Sequence, residues 1–157
     1  MGWKVPPKIE VLQALGAVAD DKVRFVSAEN AEVESFDGKE KFEVFWKPEK
    51  NAISSNDSSS TYAGYLGYPA LAFLMVLGVL PYDIYLGRKL SGIPWKKLKD
   101  AYKDHQLIIK EATNGWSALD KQRLEKFADW ILGMLEGLEL VKLDESPKTL
   151  PDFVGKE

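Results

Sequence analysis

The sequence contains no cysteine and a single histidine in 157 residues. Disulfides, thiolate zinc sites, iron–sulfur clusters and cysteine nucleophiles are thereby excluded, as are metal sites built from several histidines. The acidic residues do not fall at the D-x-D-x-D-G spacing of a calcium loop. No metal and no cofactor are expected. The opening residues, MGWKVPPKIEVL, lack the apolar stretch and small-residue cleavage site of a secretory signal, so the expected location is the cytoplasm. Arginine is scarce, 3 residues against 18 lysines, and Met, Gln and Asn are few. That bias resembles the composition of hyperthermophile proteins.

What is present suits one compact core. Hydrophobic residues make up 45%, with five Trp, six Tyr and seven Phe, and the net charge is only −3. A chain this long buries roughly 70% of its unfolded surface, so a single domain over 1–157 is expected: helix plus sheet over 7–47, a helical part over 60–141, and a loosely docked tail over 142–157.

Pro7 followed by Ile9, Leu12, Leu15 and Ala19 predicts a helix with one face inward. From Lys22 the period changes to two, with Val23, Phe25 and Ser27, then Ala31, Val33 and Ser35, then Phe42, Val44 and Trp46 alternating with polar positions. Asp37-Gly38 suits a two-residue hairpin turn, which sets Phe36 opposite Lys39, Glu34 opposite Lys41 and Val33 opposite Phe42. Glu32 opposite Glu43 is the one poor pair. The same reasoning puts a three-residue loop at AEN, and NAISSND suits a short fourth strand.

Pro69 and Gly78 bracket a central helix, expected to be buried over 69–77. YDIYLGRKLSG gives a short helix, and Pro94 opens one longer helix with a stripe of Trp95, Leu98, Tyr102, His105, Ile109 and Ala112. Ser117 caps a last helix whose inward face is Leu119, Leu124, Phe127, Ile131, Leu135 and Leu138. The fold class is α+β: an N-terminal helix, a three-stranded antiparallel meander, and about four helices packed on one face.

Residues 58–82 carry no charged side chain, long enough for a membrane helix, which needs about 20 residues. Ser, Thr, Tyr and Gly fill the first part, and Pro69 and Pro81 leave an apolar helix of about eleven residues. A buried helix is the reading, and no membrane contact is expected. Ser58, Ser59, Ser60, Thr61 and Tyr62 lie ahead of that helix, where hydroxyl and N–H groups could hold a phosphate or carboxylate. No phosphate-loop fingerprint accompanies them, and a polar loop with a helix cap accounts for the same residues.

A strand, a D-G turn, the strand FEVFW, then KPEKNAISSND and GYPALAFLM over about residues 31–77 resemble a SWIM-type ββα zinc module. That family carries C-x-C after its hairpin and C-x-H at the start of its helix. Here the first pair falls at Ile53 and Ser55 and the second near Gly67 and Pro69, so every zinc ligand is missing. The resemblance implies a hairpin packed on the central helix, with apolar contacts in place of zinc. Such modules are associated with nucleic-acid or protein interaction.

Residues 88–103 hold Arg88, Lys89, Lys96, Lys97, Lys99 and Lys103 against Asp100 alone, a local +5 in a chain of net −3. A basic patch beside Trp95 is a footprint of nucleic-acid binding, and a solvated helix face explains it equally. His105, beside Asp104, is expected at the core edge, with no Ser-His-Asp set around it. Glu32, Glu34 and Glu43 follow from alternation on a wet strand face. The favoured reading is a non-enzymatic binding or protein-interaction domain able to form a homo-oligomer. A nucleic-acid-binding accessory protein using 88–103 is the alternative, and a small enzyme or anion binder using the serine loop, with Tyr62 or His105, is the second.

Overall fold

A computed structural model describes residues 2–143 and shows an α+β fold. Helix α1 (Lys8–Ala19) precedes strands β1 (Val23–Ser27), β2 (Asn30–Glu34), β3 (Lys41–Lys47) and β4 (Ala52–Ser55). Helices α2 (Tyr68–Leu77), α3 (Ile84–Lys89), α4 (Trp95–Ala101), α5 (His105–Ala112) and α6 (Ala118–Leu138) follow, and β5 (Val141–Lys142) is the last element among the described residues. The sheet runs β1-β2-β3-β4-β5, antiparallel through β4 and parallel at β5. Helix α2 packs on β1–β4, while α1 packs on α2 and also contacts α3 and α6. No helix among the described residues is long and apolar enough to cross a membrane.

Two helices, rather than one, are buried over most of their length. The burial expected over 69–77 holds as far as Met75 and is corrected at the last turn of α2, where Val76 is exposed and Leu77 half-buried. In α2 every residue from Pro69 to Met75 is buried, as its uniformly apolar sequence requires, and Gly78 ends it at φ 84°. In α1 the run Ile9–Ala17 is buried without a break, including Glu10 and Gln13. The one-sided packing expected of α1 is therefore corrected. Small residues allow it: a methyl group on Gly16 would stand 3.1 Å from the Leu90 carbonyl oxygen, so glycine lets the end of α3 come close.

The meander keeps the expected facing but not the expected loops. Val33 pairs with Phe42, Glu34 with Lys41 and Glu32 with Glu43, so the alternating pattern set the register. The turn spans four residues instead of two. Ser35 N–H donates to the Glu40 carbonyl, and only Gly38 takes a positive φ. This frees Phe36 from the ladder to pack on Tyr68, with ring centroids 4.9 Å apart. At the first connection Ser27 pairs with Asn30 across two residues, and a bulge between Phe25 and Ser27 restores Phe25 opposite Ala31. The bulge does what the longer loop was expected to do: it keeps Phe25 on the apolar face.

The long helix expected after Pro94 is two helices, because Tyr102 is extended at φ −128°, ψ 136° and Asp104 caps α5 by accepting from Gln106 N–H. His105 consequently sits exposed in the first turn of α5, not at the core edge. Leu119 is also misplaced by the linear pattern. It lies five residues before Leu124, about 140° round the helix, and is 76% exposed. Strand β5 was not expected. Asn51, left-handed at φ 52°, donates its side-chain amide to the Leu138 carbonyl at 2.8 Å, and its own carbonyl accepts from Val141 N–H. Of the tail expected over 142–157, Lys142 lies in β5 and Leu143 N–H donates to the Ile53 carbonyl; the remainder lies outside the described residues.

Leu71, fully buried in α2, and Leu119 give opposite expectations. Leu71→Ala should lower unfolding free energy by about 3 kcal/mol, and Leu119→Ala by less than about 0.5 kcal/mol, both read from urea denaturation midpoints.

Candidate functional site

The serine loop is tied to the protein's own carboxylates. Ser59–Ala63 form a π-helical turn, with Thr61 N–H bonded to the Asp57 carbonyl. Ser60 is buried; its hydroxyl donates to Asp57 Oδ1 at 2.8 Å and accepts from Gly67 N–H at 3.0 Å. Ser59 Oγ donates to Glu10 Oε2 at 3.3 Å, and Glu10 Oε1 accepts from Tyr68 N–H, the first residue of α2, at 2.8 Å. A carboxylate from α1 thus stands where an external anion would meet the start of α2. Ser58, Thr61 and Tyr62 point outward, Tyr62 with 86% of its surface exposed.

Burial pushes the Glu10 carboxyl above its ordinary value of 4.5, opposed by the Lys99 ammonium and the Tyr68 N–H. Burial likewise raises the Tyr68 phenol, assisted by the nearby charges of Asp57 and Glu10. This cluster has the makings of a structural clamp, with every oxygen of Glu10 and Asp57 accepting a hydrogen bond.

The structure separates the basic residues by neighbour. Lys89 pairs with Asp120 at 3.4 Å and lies over the Trp116 ring at 4.8 Å, against the start of α6. Arg88 is exposed on α3. Lys96, Lys97, Lys99 and Lys103 are exposed on and just after α4; Lys99 faces Glu10 electrostatically, and Lys96 acts on Asp37. Trp95 beneath them is buried to 1% exposure.

Lys96 and Lys97 line a cleft of about 570 Å³ between the α1–β1 turn (Asp20, Lys22), the hairpin tip (Phe36, Asp37) and the α3–α4 connection (Gly92, Ile93, Pro94, Trp95). Its acids are engaged: Asp20 accepts from Ser91 Oγ and Gly92 N–H, and Asp37 from Ser35 Oγ at 2.8 Å and Lys39 N–H at 3.0 Å. Those bonds, the Lys39 N–H foremost, hold the Asp37 carboxyl below its ordinary range. Sequence reading found Lys96 and Lys97 but not Lys22 or Phe36, because only the fold brings these segments together.

A second feature is the free edge of the sheet. Among the described residues, strand β1 pairs on one side only, with β2. Lys22 carbonyl accepts from Glu34 N–H and Arg24 stands opposite Glu32, so the N–H and C=O groups of Val23 and Phe25 point to the unpaired side. Phe25 is 47% exposed and Val26 55%, while Arg24 is held by Glu32 at 2.5 Å. Phe25 meets Phe73 edge-on at 5.5 Å, and Val76, one turn along α2, is also exposed. Among the described residues no group of three or more His, Asp or Glu is placed to hold a metal ion.

The family model described as uncharacterised conserved protein UCP014422 matches residues 3–141, and the chain belongs to that family. No curated protein and no solved structure matches it.

Two outcomes are expected from the clamp. A side chain at Gly67 would overlap the Asp57 carboxylate, which Ser55 and Ser60 hold in place, so Gly67→Ala should cost about 2 kcal/mol in thermal or urea unfolding. A carboxyl raised by folding contributes fully below its ordinary value of 4.5 and loses that contribution as pH rises through the raised one. Relative to Glu10→Gln, which does not titrate, the wild type should therefore lose stability with rising pH; a constant difference across the range would contradict this.

Proposed function

We propose that this protein is a non-enzymatic interaction domain that pairs with a second copy of itself through the free edge of β1. The carrying observation is that Phe25 stands half exposed at an unpaired strand edge with its backbone groups directed outward. Natural edges are usually blunted by charge, proline, a bulge or a covering element, and the bulge in β1 lies beyond Phe25. Strand β1 has one charge, Arg24, already matched by Glu32, and no proline.

The second copy is favoured by self-complementarity. Antiparallel pairing centred on Phe25 lets the two Phe25 residues exchange both backbone hydrogen bonds, as a two-fold axis requires. Arg24 then faces Val26 of the other copy, and no like charges are opposed. Directly opposed residues lie on one face of a sheet, so each Phe25 covers the exposed half of the other, beside the two Val76 side chains. Because the bulge begins after Phe25, the ladder between copies is short and centred on the two Phe25 hydrogen bonds.

Light scattering on a size-exclusion column should give twice the 17.6 kDa chain mass. Val26→Lys, which adds a charge at an exposed edge position, and Phe25→Glu should each return the mass to one chain with an unchanged circular dichroism spectrum. A wild-type monomer at the highest attainable concentration would defeat the proposal.

A further inference from the structure

We infer that the cleft between the hairpin tip, the α1–β1 turn and the α3–α4 connection binds a small phosphate-bearing anion, held by Lys22, Lys96 and Lys97. At about 570 Å³ it falls within the range of small-ligand sites. Its polarity is set by which hydrogen-bonding groups are already used. The lining has three ammonium groups against two carboxylates, but Asp20 and Asp37 accept from Ser91, Gly92, Ser35 and Lys39 within the protein.

The lysines are in the opposite condition. Lys96 and Lys97 form no ion pair or hydrogen bond among the described residues, Lys96 acting on Asp37 only through its field, and Lys22 has only a loose pair with Glu34 at 3.8 Å. The cleft therefore offers donors and few free acceptors, and its complement is a group rich in acceptors and negative charge. Compact ammonium charges arriving from two sides, the start of β1 and the first turn of α4, suit a phosphate whose oxygens diverge better than a planar carboxylate.

The floor supports the same assignment. Phe36, Ile93, Pro94 and Trp95 line it, giving apolar surface for the organic part of a phosphate-bearing molecule. Trp95 is buried and its ring lies 6.3 Å from that of Phe36, so the first turn of α4 and the hairpin tip are fixed with respect to each other. The lysine stems thus begin from anchored backbone, and only the side chains need to order on binding.

The test is calorimetric titration of the full chain with inorganic pyrophosphate, repeated at raised salt, with a single-stranded oligonucleotide as a separate arm. Saturable binding that weakens with salt is expected. Lys96→Gln/Lys97→Gln should weaken it at least about tenfold, while Lys103→Gln, outside the cleft, should leave it unchanged. All these positions are exposed, and unaltered melting temperatures would show that the variants fold. Absence of pyrophosphate binding, binding indifferent to the double substitution, or oligonucleotide binding that pyrophosphate does not compete would each overturn the assignment.

Discussion

The hydrogen bond from Tyr68 N–H to the Glu10 carboxylate, 2.8 Å long, joins the two helices around which the domain condenses. Helix α2 is apolar on every side, and its first N–H, at half-buried Tyr68, has no partner within the helix. Such a donor needs a partner, since leaving it unmatched costs about 1–3 kcal/mol. No local side chain caps α2. The acceptor comes from α1, 58 residues earlier in the chain. Burying a carboxyl is itself unfavourable, and the Tyr68 N–H, the Ser59 hydroxyl and the Lys99 charge offset that cost.

From this contact the structure extends outward in two directions. Tyr68 stacks at a tilt on Phe36, and Phe36 reaches Trp95, so one aromatic series leads from the cap to the floor of the lysine-lined cleft. On the other side α2 carries Phe73 against Phe25 of the edge strand. The cleft and the sheet edge both depend on where α2 is placed. Asp57 reinforces that placement by holding Ser60, whose hydroxyl in turn receives the Gly67 N–H.

Much of this frame was legible in the sequence, and the reasons are local. Period-two alternation fixed the β2–β3 register at Val33 and Phe42, and Pro69 with Gly78 marked α2 to within a residue. Ser117, expected as the cap of the last helix, accepts from Asp120 N–H at the start of α6. What was not legible depends on distant partners. Glu10 and Gln13 read as the polar face of an amphipathic helix, because nothing nearby reveals that both are buried or that Glu10 meets α2 and the serine loop. The break at Tyr102 contains no glycine or proline, and the two residues of β5 are too few to show a period. The cleft joins segments from Asp20 to Lys97 that share no motif. Lysine richness over 88–103 was visible, but not its division between the α6 side, where Lys89 is engaged, and the cleft side.

The most direct test of the Glu10 cap is residue-resolved amide hydrogen exchange at Tyr68 in the wild type, Glu10→Gln and Glu10→Ala. If Glu10 caps α2 from across the core, the Tyr68 amide should be protected in the wild type and largely protected with glutamine, whose carbonyl can still accept. It should exchange much faster with alanine, while the middle of α2 remains protected. Equal protection of Tyr68 in all three proteins would contradict the account.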